Sequence, residues 1–150
     1  MCIRDSLKLL HAMGAHMARE SVLGRPILSS WNALLDYCRT AMQFEPVEQF
    51  RVLFLDRKNR LIADEVLGKG TIDRAPVYPR GIVKRGLALE STAIILAHNH
   101  PSGETAPSDA DLRMTLALER SLDTVEIILL DHVIFGEGEP YSLRANGDIG

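Results

Sequence analysis

A chain of 150 residues with 46% hydrophobic content can bury one good core, and with aromatics at only 5% that core is aliphatic. Seventeen Lys and Arg against twenty Asp and Glu leave a formal charge of -3, which excludes a whole-chain electrostatic case for binding polyanions but not a local basic face. Cys2 and Cys38 make no Cys-x-x-Cys pair and no apolar run approaches the roughly 20 residues of a membrane span, which excludes disulfide scaffolds and spanning proteins and points to a soluble chain of the reducing cytoplasm.

Residues 7–18 place Leu7, Leu10, Met13, Ala15 and Met17 at helical spacings, and the stretch ends in the turn-like Gly24-Arg25-Pro26, detached from the rest of the chain. Residues 1–27 are expected to be an N-terminal helix and linker, and residues 28–150 the folded domain. Ser29 or Ser30 is suited to cap a helix carrying Trp31, Leu34, Leu35, Cys38 and Met42 on one stripe. Residues 49–56 read as a strand ending at the polar turn Arg57-Lys58-Asn59, and residues 61–67 run back to Gly68-Lys69-Gly70, so a hairpin joins the two. Pro79 opens a helix whose buried stripe is Ile82, Val83, Leu87 and Leu89, since its missing N–H costs nothing in a first turn.

Residues 93–97 form a continuous apolar run, too short for a helix and suited to a strand buried on both faces. Ser108 begins another helix, through Leu112, Leu116, Leu118 and Leu122. Residues 125–135 are a second long buried strand, and 141–143 a short last one before the Asn146-Gly147 turn. The sum predicts an α/β domain, a mixed β-sheet flanked by helices with a hairpin at its start.

Chemistry concentrates at His98-Asn99-His100-Pro101, followed by Ser108 and Asp111. Two imidazoles and a carboxylate hold a divalent zinc ion and leave a fourth position for water, the mark of a hydrolytic rather than a structural site. If the strand continues through His100, residues two apart project from one face about 6.6 Å from each other, and both rings can bend toward one ion. Pro101 biases His100 toward extended backbone, Ser102-Gly103 lets the chain turn away, and Pro107 delivers it to a helix whose first turn holds Asp111.

The arrangement His98-x-His100-Pro101-x6-Ser108-x2-Asp111 resembles the JAMM (MPN-plus) metalloprotease signature. Phe50-Arg51-Val52-Leu53-Phe54-Leu55-Asp56, Gly70-Thr71, Ala97 to Gly103 and Asp131-His132 resemble the bacterial RadC-like proteins that carry this domain. The resemblance covers about residues 28 to 145 and implies the JAMM/MPN core, similar to the cytidine-deaminase-like architecture. It implies zinc ligands at His98, His100 and Asp111. It also implies a glutamate ahead of an early core strand that acts as general base on the zinc-bound water. Glu48 fits that place; Glu45 competes, but its extra offset and Pro46 move it off the strand. The family serine corresponds to Ser108, whose hydroxyl is expected to steady the oxyanion. The function implied is a zinc-dependent metallohydrolase, a peptidase or isopeptidase with a peptide or protein substrate.

Structural readings stand beside these. Ser108 and Asp111 also form a helix-capping arrangement, and next to two histidines at a fitting spacing Ser108 can serve both roles. His132, beside Asp131 in an apolar run, reads as a hydrogen-bonded core histidine, with an Asp131-assisted contact to a ligand as the alternative. His11 and His16 take surface or packing roles. Arg74, Arg80, Lys84 and Arg85 form a modest basic cluster that reads as a solvated face. A zinc deaminase is excluded, because His100 stands where its glutamate would be and no Pro-Cys-x-x-Cys segment lies downstream. The second function considered is a DNA-repair-associated accessory protein whose metal site is structural or vestigial. The N-terminal helix-hairpin-helix usual in RadC-like proteins is expected to be absent from this sequence or reduced to residues 7–20, and Gly81 stands where such proteins tend to have an acidic residue after Pro-Arg.

Overall fold

The computed structural model describes residues 3–22, 24, 31–42, 45–69 and 77–150. Among these, the chain forms α1 (Ile3–Val22), α2 (Trp31–Met42), β1 (Gln49–Leu55), β2 (Leu61–Lys69), α3 (Pro79–Ala88), β3 (Ala93–Asn99), α4 (Asp109–Asp123), β4 (Ile128–Phe135) and β5 (Tyr141–Ser142). The five strands make one mixed sheet in the order β2-β1-β3-β4-β5. Only β3 and β4 run parallel; the other pairs are antiparallel. A parallel pair needs a crossover, and α4 supplies it.

Central β3 is buried along all seven of its residues, which explains its unbroken apolar sequence. Alternate residues feed two separate cores. Ala93, Ile95 and Ala97 pack with Leu34, Cys38 and Met42 of α2, while Ile94 and Leu96 pack with Ile82 of α3 and Leu118 and Leu122 of α4. The sheet is thus covered on both faces, as the sequence pattern requires. Burial pushes the Cys38 thiol up to about 12, with Arg51 opposing, which leaves it an inert packing residue.

Local differences from the sequence reading have physical causes. Strand β2 runs two residues past 67, because Gly68 and Lys69 still pair with Phe50 and Gln49. Strand β4 begins at Ile128, since Val125 and Glu126 form the turn that leaves α4, with Glu126 at φ 60. Leu87 is exposed rather than part of the buried stripe of α3, and Leu116 on α4 is exposed as well. On α4 the 3.6-residue period puts Asp111, Thr115, Leu118 and Leu122 on the buried stripe, so two polar residues hold core positions. Helix α1 is longer than residues 7–18 and lies beside α2, with Gly14 close to Thr40; Leu7, Leu10, Met13 and Met17 face solvent. The proposed Ser29 or Ser30 cap, Arg25-Pro26, Gly70-Thr71 and Arg74 lie outside the described residues.

A candidate metal centre

His98 is the penultimate residue of β3 and fully buried; His100 lies one residue beyond the strand end. His100 N–H donates to Phe135 C=O at 2.8 Å, which continues the strand pairing far enough to aim both rings the same way. Pro101 then sits second in a turn closed by Gly103 N–H to His100 C=O at 3.0 Å. Gly103 has φ +93, a conformation that L side chains rarely adopt. The turned chain brings Glu104 C=O to 2.7 Å from His100 Nδ1, fixing that ring.

Gly136 makes this turn possible. A Cβ there would meet Gly103 O at 2.4 Å, where Gly103 O also accepts from Glu137 N–H at 2.8 Å. Gly136→Ala is therefore expected to lower stability by about 1–3 kcal/mol, as overpacking does, and to disturb the turn that holds His100. Urea unfolding checks this; an unchanged midpoint would refute it.

Ser108 is the N-cap of α4, and its capping box is reciprocal. Ser108 Oγ accepts from Asp111 N–H at 3.1 Å, and Asp111 Oδ2 accepts from Ser108 N–H at 2.8 Å. The capping reading thus holds for this pair. Asp111, fully buried, aims the rest of its carboxylate at the histidines: Oδ2 lies 3.2 Å from His100 Nε2 and Oδ1 3.4 Å from His98 Nε2. Glu48, directly ahead of β1, brings Oε1 to 3.5 Å from His100 Nε2 and 3.7 Å from His98 Nε2. The two Nε2 atoms are 2.9 Å apart. Glu48, His98, His100 and Asp111 so offer four ligand atoms within 4.8 Å of one another and can hold a metal ion. Glu45 does not join them; it lines an adjoining cleft of about 690 Å³ with Asn99, His100 and Glu137.

Electrostatics favour a cation at this point. Burial alone would raise the Asp111 carboxyl, but the His100 and His98 imidazoles that face it and the Ser108 N–H outweigh burial and hold it well below the usual carboxylate range. Its hydrogen bond with Asp111 raises the His100 imidazole, with burial opposing. Among the described residues, Asp111 Oδ1 is buried and accepts no hydrogen bond. An acceptor without a partner in the interior is costly unless something positive meets it.

Asn99, between the two histidines, points to the opposite face of the sheet. Its Oδ1 accepts from Gln49 N–H at 2.7 Å and its Nδ2 donates to Val47 C=O at 3.3 Å, which brackets the Glu48 backbone. Gln49 in turn accepts from Arg51 Nη2 at 3.0 Å, and Arg51 pairs with Asp64 at 2.5 Å, where Tyr37 also donates. The strand that carries His98 thereby also fixes the segment that carries Glu48.

His132 is the hydrogen-bonded core histidine expected from the sequence, and one of its contacts is the alternative also considered there, to His98 of the cluster. Its Nε2 is 2.6 Å from His98 Nδ1, and its Nδ1 is 2.7 Å from Thr115 Oγ1. Asp131 does not assist; it accepts from Ser142 Oγ, His132 N–H and Arg144 N–H and fastens the β4–β5 corner. Spacing along the chain gave no hint of the His98 contact, because it depends on the parallel register that sets Leu96 against His132. Thr115 had a signal that went unused, its place four residues after Asp111 on the same helical face.

A sheet in this order, with its central strand delivering His-x-His-Pro opposite a helix-borne carboxylate, defines a JAB/MPN-type domain. The RadC-like JAB domain model matches residues 28–148, and the chain belongs to the RadC family. It is similar to a UPF0758 protein of Rhodobacter capsulatus, 55% identical over 143 residues, covering 95% of this chain and 67% of that protein. A UPF0758 protein of Ruegeria pomeroyi is 50% identical over 141 residues, 94% of this chain and 63% of that one. The chain spans about two thirds of the length of these relatives. No helix among the described residues is long and apolar enough to cross a membrane.

Proposed function

We propose that this domain is a zinc-dependent metallohydrolase that cleaves peptide or isopeptide bonds. The observation that carries the reading is the convergence of two imidazole nitrogens and two carboxylates on one point, with a buried Asp111 oxygen that accepts no hydrogen bond. Two imidazoles and carboxylates suit zinc among common divalent ions. When bound, that ion lowers the pKa of a coordinated water to about 7 and polarises the scissile carbonyl.

His98, His100 and Asp111 hold the metal, in keeping with the JAMM resemblance, and the capping box and Glu104 carbonyl keep Asp111 and His100 from turning away. Glu48 is the general base. It stands beside the cluster on irregular backbone, more accessible than His98 or Asp111. It takes a proton from the attacking water as the oxygen bonds to the carbonyl carbon, then returns it to the amine nitrogen as the C–N bond breaks. Ser108 Oγ accepts from Asp111 N–H, which leaves its own proton to steady the oxyanion.

A second reading, a DNA-associated accessory role, is favoured by one feature. Arg80 and Lys84 of α3 and Arg120 of α4 line a shared groove of about 790 Å³, while Arg85 is taken up by Glu65 at 2.8 Å. A chelator-sensitive cleavage assay on a peptide library, run beside a DNA titration over a salt series, separates the two. Cleavage that a chelator stops is the expected result. A steep salt slope without any cleavage would favour the accessory role instead.

A further inference from the structure

The geometry points to His132 and Thr115 as positioning residues that fix the tautomer of His98 and so present its Nε2 lone pair to the four-donor cluster. The inference rests on the metal-site reading above and adds a function for two buried residues that the reading leaves unused.

The direction of each hydrogen bond comes from counting protons. Thr115 Oγ1 has one proton and two neighbours, Asp111 C=O at 2.6 Å and His132 Nδ1 at 2.7 Å. A carbonyl can only accept. If the hydroxyl proton went to His132 instead, the Thr115 and Asp111 oxygens would face each other at 2.6 Å with no proton between them. The hydroxyl therefore donates to Asp111, and His132 Nδ1–H donates to the hydroxyl oxygen. His132 is fully buried and its two ring nitrogens face Thr115 Oγ1 and His98 Nδ1; a second proton would leave a cation in the interior with no carboxylate hydrogen-bonded to the ring among the described residues, so it carries that one proton only. Its Nε2 is then an acceptor, and His98 Nδ1, 2.6 Å away, must be the donor. A neutral His98 with its proton on Nδ1 has a bare Nε2, the atom 3.4 Å from Asp111 Oδ1.

The same logic fixes His100 more simply, through the Glu104 carbonyl at its Nδ1. Metal-binding histidines commonly hold their second nitrogen against an acceptor. What differs at His98 is that the acceptor is another imidazole, whose own tautomer must be set. Thr115 sets it, and Thr115 is tied by its hydroxyl to the backbone of Asp111. The relay so links α4, β4 and β3 in one loop that closes at the cluster. Phe50 packs flat on His98 and edge-on to His132, with ring centroids 5.9 Å apart in both cases, which holds both rings in place for the relay.

Long-range proton–nitrogen NMR on metal-free, histidine-labelled protein reads the tautomers without any variant, above the imidazole titration range. His98 and His132 are both expected to carry their proton on Nδ1; a His98 protonated on Nε2 would overturn the relay. Cobalt(II) affinity, measured by competition with a chelator, gives the second readout. Thr115→Val removes the hydroxyl at nearly constant shape, and should weaken cobalt binding about 10–100-fold and mix the His132 tautomers. Thr115→Ser should restore both. Wild-type cobalt affinity and tautomers in Thr115→Val, or failure of Thr115→Ser to restore them, would reject the proposal. Should the wild type bind no cobalt at all, the metal reading falls, and the NMR pattern alone still decides the relay.

Discussion

Glu48→Gln is expected to lower peptide hydrolysis by about 10²–10⁴-fold while leaving the metal in place. The substitution keeps the shape of the side chain and removes its basicity, and the backbone on either side is held by Asn99 rather than by the carboxylate. His98, His100 and Asp111 remain as a ligand set without it. Turnover on any library peptide that the wild type cleaves, beside metal content by elemental analysis, checks the prediction. A Glu48→Gln protein that loses its metal would show Glu48 to be a ligand; one that keeps full turnover would show that the base lies elsewhere.

The second large effect is expected at Asp111. The wild type should hold about one zinc per chain, and Asp111→Asn should lose it, weakening binding by more than the roughly 10–100-fold that changes behind a ligand cause. An amide oxygen can still accept the Ser108 N–H, so the helix cap is kept and the fold should survive; losing a cap altogether costs only about 1 kcal/mol. What the amide cannot supply is the buried negative charge that His98 and His100 now face. Equal zinc content in wild type and variant would reject the ligand assignment.

The two substitutions have different signatures because the two carboxylates occupy different surroundings. Asp111 is buried on a rigid helix stripe, held by the Ser108 N–H and facing both imidazoles, so its charge is built into the core. Glu48 stands on irregular backbone at the edge of the cluster and is more accessible. A buried, fixed carboxylate suits holding an ion; an accessible one suits moving a proton to and from solvent or substrate.

Much of this was legible from residue order alone, and for local reasons. The apolar run at residues 93–97 could only be a strand buried on both sides, and Pro79 and Ser108 marked helix starts through their own backbone chemistry. His-x-His at a strand end forces two rings toward one side, and a Ser-x-x-Asp start fixes an acid in a first helical turn, so three of the four clustered residues come from spacing and propensity. Choosing Glu48 over Glu45 needed the family pattern, because nothing local distinguishes one carboxylate ahead of a strand from another.

Only the tertiary structure decided what lies between elements distant in sequence. The parallel register of β3 and β4 brings His132 to His98, and the crossover helix brings Thr115 to His132, across 34 and 17 residues of chain. Asn99 reaches back 50 residues to steady the backbone beside Glu48. Periodicity within one element carries no information on the register between elements, since that is set by how side chains of several elements fill the shared cores. The chain thus states which donors it offers, and the packing of sheet against helix determines which nitrogen of each ring they present.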